Sequence, residues 1–293
     1  MNKPEFVMTP QTSIREAFVE ASSFLEAKGI MEPQRNAEVL LRHVLGMEGA
    51  AYYMSLLEPF PMEKRTLWEE VVNRKAAGEP AQYIIGEQEF YGLSFAVNSA
   101  VLIPRPETEL LVEAVMEHGK RLWPEGSPRV ADIGTGSGAI AVTLAHLCPS
   151  WHVAASDISQ DALEVAKVNA KRNGVNIAFK LGNLLEPFAG ENIDILISNP
   201  PYIPDEEIEG LQPEVRIYEP RTALAGGSDG LNPYRTMMEQ LRLLAAPPKI
   251  IGFELGMGQS HQVAELVRST GYYSEIQIIP DLAGIERHVI GII

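Results

Sequence analysis

The residues best placed to do chemistry are Asn199-Pro200-Pro201-Tyr202, which follow directly on the apolar run IDILIS at 193–198. Two consecutive prolines fix two φ angles and remove two backbone donors, so the peptide is stiff and cannot be drawn into a helix. The carbonyl of Pro200 and the side-chain oxygen of Asn199 then stand as fixed acceptors, and Tyr202 offers a flat face. Such a group suits the holding of a planar –NH2. The lone pair of an amide or aromatic amino nitrogen is delocalised, so that nitrogen is a poor nucleophile. Two acceptors on its hydrogens favour the more pyramidal nitrogen of a transition state and aim it at an electrophile. No strong base is required, because the nitrogen becomes acidic as it is alkylated. The plainer reading is a rigid turn after a strand.

A second feature upstream favours a site. The run RVADI ends in Asp132-Ile133-Gly134-Thr135-Gly136-Ser137-Gly138-Ala139, directly before an apolar helical stretch. Glycines there permit tight turning and let a ligand approach free N–H groups at a helix start. Asp157 closes the next apolar run, 23 residues after Gly134, where an acid can accept both hydroxyls of a ribose. The loop fits the pattern of NAD enzymes and that of S-adenosylmethionine (AdoMet) methyltransferases. By itself it leaves hydride and methyl chemistry both open. The Asn-Pro-Pro-Tyr sequence selects a methyl sulfonium as the electrophile.

The elements that must position these groups are legible in outline. Residues 1–85 have helical apolar spacing, as at Ile14, Phe18, Ala21 and Leu25. Further helices are expected over Gln34–Leu45 and Met62–Ala77, each ending at a glycine. Residues 86–100 read as a hairpin connector, with Phe90 and Phe95 packing it together around Gly92. From 101 to 293, strands and helices alternate. Pro106 starts a helix with Glu107 and Glu109 at its positive end, Ala139–Leu147 and Gln160–Arg172 follow, and Ser159 is an N-cap. Strands are expected at RVADI, HVAASD, IAFKL, IDILIS, KIIGFEL, SEIQII and HVIGII. Helices are expected over Pro233–Leu244 and Gln259–Ser269 between them. Apolar strands alternating with helices make an α/β fold with a mostly parallel sheet covered on both faces. The last two strands follow one another without a helix, so at least one is antiparallel. Asn-Pro-Pro-Tyr then lies at the carboxyl end of the fourth strand, where open sheets of this kind bind ligands.

Composition excludes several classes. The 293 residues carry 24 Lys and Arg against 39 Asp and Glu, a formal net charge of −15. No basic block matches what a nucleic-acid track needs to neutralise phosphates. The 1–85 stretch alone has nine basic and twelve acidic residues, so it is no basic clamp either. No run approaches the ~18 apolar residues of a spanning helix, and the opening residues MNKPEFVMTPQTSIRE lack a secretory apolar region. The single cysteine, Cys148, lies in the apolar run AIAVTLAHLC and reads as a buried small hydrophobe in a reducing cytoplasm. The six histidines form no i, i+4 pair on one helix, so no metal is expected.

Three other groups of residues are ambiguous. The run Arg105 to Glu109 either closes over a ligand or serves helix capping, the latter favoured for its glutamates. Asp205, Glu206, Glu207 and Glu209 read as a solvated loop, with attraction of a basic partner the alternative. Glu254 ends the KIIGFEL strand at the ligand-binding edge of the sheet, placed either to serve the site or simply to end the strand.

With these residues in view, the chain resembles the AdoMet-dependent methyltransferases that act on planar amino groups. More narrowly it resembles the bacterial release-factor glutamine methyltransferases. The segments that carry the likeness are GEPAQYIIGEQEFYGLSFAV at 78–97, VLIPRPETELLVE at 101–113, DIGTGSGAIA at 132–141, SNPPYIP at 198–204 and DLAGIERHVIG at 281–291. The resemblance implies a Rossmann-like AdoMet domain with a seven-stranded sheet over 101–293, behind a helical substrate-recognition domain. It implies that Gly134, Thr135, Gly136, Ser137 and Gly138 line the methionine part of AdoMet, that Asp157 binds the ribose, and that Asn183 and Leu184 flank the adenine. Asn199, which would also bind the cofactor, would hold the substrate glutamine together with Pro200, Pro201 and Tyr202, with Asn199, Pro200 and Tyr202 catalytic. Family members commonly have Asp at the place of Asn183 and of Asn36, and an aromatic at the place of Leu184. The implied reaction methylates N5 of the glutamine in the Gly-Gly-Gln loop of class I peptide chain release factors. No direct nucleic-acid, membrane or metal partner is implied. The alternatives are a ribosomal-protein glutamine as substrate, DNA adenine N6 methylation, a dehydrogenase, and a non-catalytic AdoMet-binding module.

Overall fold

The computed structural model describes residues 5–293. Residues 1–4, which open both the 1–85 stretch and the segment read as lacking a secretory signal, lie outside the described residues. Internal contacts divide the chain into two compact units. One runs to Gly86 and takes in Pro213–Tyr218; the other holds Glu87–Gln212 and Glu219–Ile293.

The first unit is helical: α1 (Ile14–Ala27), α2 (Pro33–Leu45), α3 (Gly49–Ser55), α4 (Arg65–Ala76) and α5 (Ala81–Ile85). Ser13 starts α1 with a reciprocal cap. Its hydroxyl accepts from the Glu16 amide at 3.2 Å, and the Glu16 carboxylate accepts from the Ser13 amide at 2.8 Å. The stripe buried by α1 is Ile14, Ala17, Ala21 and Leu25, while Phe18 packs at the margin of the core. The expected Met62–Ala77 helix begins instead with a 3-10 turn at Met62–Lys64, held by the Lys64 amide on the Pro61 carbonyl, before α4. The helices α3 and α5 have seven and five residues, too short to register as a period in the sequence.

The second unit opens with the hairpin β1 (Glu87–Phe90) and β2 (Leu93–Ala96), whose buried Phe90 and Phe95 rings meet edge to face at 6.0 Å. Next come α6 (Pro106–Leu122), β3 (Arg129–Ile133), α7 (Ala139–Leu147), β4 (His152–Asp157), α8 (Gln160–Arg172), β5 (Ala178–Leu181) and β6 (Ile195–Ser198). The short α9 (Pro213–Tyr218) belongs by its contacts to the first unit, where Glu214 pairs with the buried ammonium of Lys75. The chain ends with α10 (Asn232–Gln240), β7 (Ile250–Glu254), α11 (Ser260–Ser269), β8 (Glu275–Pro280) and β9 (Glu286–Ile292).

The seven strands lie in the order β5-β4-β3-β6-β7-β9-β8. The antiparallel strand is β9, which runs against both β7 and β8. From β3 the chain moves outward to β4 and β5, then returns to β6 on the other side of β3. Such a reversal leaves a crevice at the carboxyl ends of the two strands at the switch. The strands alternate between two cores. Val130, Ile195, Ile197 and Ile250 face α6 and α7, whereas Ala131, Leu196 and Ile251 face α10 and α11. Asp132, Asn199 and Glu254 fall on the parity that faces α6 and α7. No helix among the described residues is long and apolar enough to cross a membrane.

Candidate active site

The turn after β3 needs its glycines. Gly134, Gly136 and Gly138 have φ of +71°, +55° and +82°, a region that side chains rarely adopt. At Gly138 an added Cβ would also sit 3.2 Å from the Cβ of Ala166 on α8. The loop is tied to the next strand, since the amides of Gly134 and Thr135 both donate to the Ser156 carbonyl at 2.9 Å. Asp157 ends that strand with one carboxylate oxygen on the Gly136 amide and the other on the Ser159 amide, each at 2.9 Å. A carboxylate has about four acceptor positions, so both oxygens retain capacity for a diol. Burial nonetheless raises the Asp157 pKa above the ordinary range, against the pull of those amides. Ser159 also caps α8, as its sequence position indicated, by accepting from the Ala162 amide at 3.2 Å.

Beneath the loop lies Asp132, fully buried. It accepts from the Thr135 hydroxyl at 2.6 Å and the Ala141 amide at 3.2 Å. Its other oxygen has no partner among the described residues. Burial pushes its pKa up to about 7. Asn169, buried on α8, joins the loop to the hairpin, donating to the carbonyls of Ser137 at 2.8 Å and Ala96 at 3.0 Å. It also accepts from the Ala96 amide at 2.7 Å.

These groups open on a cavity of about 580 Å³ lined by Gly134 to Ser137, Asp157, Asn183, Leu184, Asn199 and Pro201. Gly138 lies behind the loop, buried against Ala166. Pro200 is buried and Tyr202 half-buried; neither lines this cavity. The Tyr202 carbonyl accepts from Gln259 at 2.9 Å, and burial pushes its phenol up to about 12. Leu184 holds φ at +51°, a left-handed conformation costly for a branched side chain. Its carbonyl accepts from Ser156 at 3.1 Å, and the following amide donates to Gln240 at 2.8 Å. The strain therefore sits where the adenine was expected.

Asn199 lies one residue beyond β6, and Ser198 is in register with Phe253 of β7. Asn199 is therefore beside Glu254. Its side-chain nitrogen donates to the Thr108 hydroxyl at 3.2 Å, and that hydroxyl donates to Glu254 at 2.6 Å. Burial pushes the Glu254 pKa up to about 7, with Glu107 adding to the rise and Thr108, Arg287 and Asn199 opposing it. Thr108 is the member of the 105–109 run that reaches this network, and its role carries no sequence signal. Glu109 instead accepts from the Tyr91 amide at 2.7 Å, and Arg105 pairs with the buried Glu219. Asp205, Glu206, Glu207 and Glu209 are exposed. No group of three or more His, Cys, Asp or Glu able to hold a metal occurs among the described residues.

The cavity suits a nucleoside cofactor. Its volume lies within the roughly 300–1,000 Å³ of ligand sites, and the Asp157 carboxylate and the glycine turn both line it. Fold and cavity together define a nucleoside-cofactor enzyme, and the family matches make it a methyltransferase. Residues 106–217 match the Methyltransferase small domain family, and residues 16–86 match the PrmC N-terminal domain. The hMettl16 catalytic domain, solved in complex with MAT2A 3′UTR hairpin 6, has this fold at a TM-score of 0.56 and 18% identity. The match covers 76% of this chain and 81% of that one.

The release factor glutamine methyltransferase of Bacillus anthracis is 42% identical over 278 residues, 94% of this chain and 98% of that protein. The Bacillus subtilis protein of the same name is 42% identical over 284 residues, 96% and 98% of the two chains. That of Moorella thermoacetica is 42% identical over 278 residues, 94% and 96%. The chain belongs to the release factor glutamine methyltransferase family. It is an enzyme, and its cofactor is AdoMet.

Proposed function

We propose that this chain methylates N5 of the glutamine side chain in the Gly-Gly-Gln loop of class I peptide chain release factors. The observation that carries the reading is the presence of Asn199, at the carboxyl end of β6, on the wall of the same cavity as the glycine turn and Asp157. The helical unit is the part we assign to recognition of the protein substrate. The compartment that goes with this substrate, and with a lone buried cysteine, is the reducing cytoplasm.

AdoMet, when bound, supplies a methyl carbon on a positively charged sulfur. Asp157 holds the ribose, the glycine turn takes the methionine part, and Asn183 and Leu184 flank the adenine. Asn199 Oδ1 and the Pro200 carbonyl accept the two hydrogens of the glutamine amide, and Pro201 and Tyr202 complete its seat. Holding both hydrogens loosens the conjugation of the nitrogen and directs its lone pair along the sulfur–methyl axis. That nitrogen would take the methyl group of AdoMet held there, the electron pair of the broken carbon–sulfur bond staying on sulfur. The nitrogen, acidic once alkylated, gives one proton to water, leaving N5-methylglutamine and neutral S-adenosylhomocysteine.

The test is methyl transfer from labelled AdoMet to a panel: a class I release factor, the same factor with its Gly-Gly-Gln glutamine replaced, ribosomal proteins and duplex DNA. Label on the intact factor and none on the replaced one is the expected result. Label on ribosomal protein or DNA alone overturns the substrate and keeps the chemistry.

A further inference from the structure

Glu254 is the puzzling member of the site. It is 2% exposed, at the end of a strand, beside the residue read as holding the substrate amide. It does not line the cavity, whereas Thr108 and Asn199 do. Its carboxylate is taken up by Thr108, so its effect on the site is read through its neighbours.

Those neighbours form a directed chain. An ionised carboxylate only accepts hydrogen bonds, and a hydroxyl has a single proton to give. The Thr108 proton lies on Glu254 at 2.6 Å. On its other side Thr108 can only accept, and what it accepts is the Asn199 amide N–H at 3.2 Å; the same amide also acts on the Glu254 carboxylate directly, which favours the same orientation. A carboxamide that turns its nitrogen to Thr108 must turn its oxygen the other way. The two ends of a carboxamide are nearly the same size, so packing alone does not choose between them. Without the carboxylate, the Thr108 proton is free to bond Asn199 Oδ1. The carboxamide then presents –NH2 to a substrate that also offers –NH2.

The fold builds this contact deliberately. Thr108 lies in the first turn of α6, which packs across β7 at Gly252. A Cβ there would meet Val115 of α6 at 2.6 Å. The missing side chain lets the helix approach closely enough for a short threonine side chain to reach Glu254. Charged and titratable groups face Glu254 from four sides: Glu107 from the start of α6, Arg287 from β9, Tyr202 from the loop after β6, and Tyr234 from α10, whose hydroxyl donates to the Glu254 carbonyl at 2.7 Å.

We propose that Glu254 is a positioning residue: through the Thr108 hydroxyl it holds the Asn199 carboxamide with nitrogen inward and oxygen toward the substrate amide. This rests on the reading of Asn199 as the holder of that amide.

The test measures methyl transfer to a class I release factor, and AdoMet affinity by calorimetry, for Thr108→Val, Glu254→Leu, their combination, and Thr108→Ser. Misplacing one oriented group costs on the order of 10²-fold. Thr108→Val and Glu254→Leu are each expected to lower kcat by about ten- to a hundredfold, with AdoMet affinity held within about threefold. Because they cut the same chain, the double variant is expected to lose no more than the worse single one. Thr108→Ser, which keeps the hydroxyl, retains kcat within about threefold. Retained AdoMet affinity certifies the fold. Where Glu254→Leu fails to fold, Glu254→Gln replaces it in the cycle, and a loss shared with Thr108→Val carries the same meaning. Losses that multiply in the double variant, or wild-type kcat in Thr108→Val, overturn the inference. Asn199→Ala separates the two levels. If it collapses kcat while the relay variants do not, only the role of Glu254 falls. If it too leaves kcat intact, the reading of Asn199 falls.

Discussion

The part of the cavity we assign to the cofactor and the part we assign to the substrate amide rest on the same device, differently assembled. Under the cofactor half lies Asp132, buried, pushed up to about 7, and bonded by the Thr135 hydroxyl at 2.6 Å. Under the substrate half lies Glu254, also buried, also pushed up to about 7, and bonded by the Thr108 hydroxyl at 2.6 Å. Asp132 and Thr135 are three residues apart, whereas Thr108 and Glu254 are 146 apart. The first pair stiffens a turn that already has its shape from three glycines. The second joins a helix, a strand and a loop, and fails if any one of them shifts. The cofactor half is thus local and self-supporting, while the substrate half depends on the packing of α6 against β7.

The largest effect that separates the halves is expected in Asn199→Ala. Losing one oriented partner of the reacting group costs on the order of 10²–10³ in kcat. AdoMet affinity should stay within about threefold by calorimetry, and a parallel loss of binding would merge the two halves. Next is Asp157→Ala, the converse case. A hydrogen bond to a charged group is worth about 1.5–3 kcal/mol, so AdoMet affinity should fall about ten- to a hundredfold. Unchanged affinity would remove Asp157 from the ribose.

A smaller and more pointed test is Gly252→Ala. The added methyl meets Val115 at 2.6 Å and Ile290 at 3.1 Å. Overpacking of this kind costs about 1–3 kcal/mol in denaturant unfolding. Because it lifts α6 from β7, kcat should drop while AdoMet affinity holds. Equal damage to both would contradict the independence of the halves.

The smallest effect is in pH. Asp132 has a folded pKa near 7 against 3.8 in the unfolded chain. Between those values the folded state binds the extra proton, so this group lowers stability as pH rises from about 4 to 7, with no further change above. Asp132→Asn should flatten the fall of Tm between pH 5 and 7 in the cofactor-free protein. An unaltered slope would mean that Asp132 stays ionised in the fold. Glu254 acts in the same direction on stability, from 4.5 to about 7. Its ionised form is the one that directs Thr108, so kcat should rise with pH through about 7 and lose that inflection in Thr108→Val.

What the sequence determined is what short-range chemistry determines. The glycine turn, Asp157 after the next strand, the Ser159 cap and the stiff Asn-Pro-Pro-Tyr segment are each set by residues a few positions apart. Strand and helix order followed from apolar periodicity, and resemblance supplied the family. Tertiary structure decided the rest. Of the Asn-Pro-Pro-Tyr residues it set Asn199 and Pro201 on the lining of the cavity. Close packing there of Gly226 and Gly230 against the Pro201 and Tyr202 carbonyls leaves no room for a Cβ. It put Leu184 in a left-handed conformation, which no residue type signals. It grouped Pro213–Tyr218 with the helical unit through the pairing of Lys75 with Glu214. And it made Thr108, one member of a run left between ligand closure and helix capping, the link between Asn199 and Glu254. That link is not written locally, because strand parity, the register of β6 with β7 and the glycine beneath α6 must all hold before those three side chains can meet.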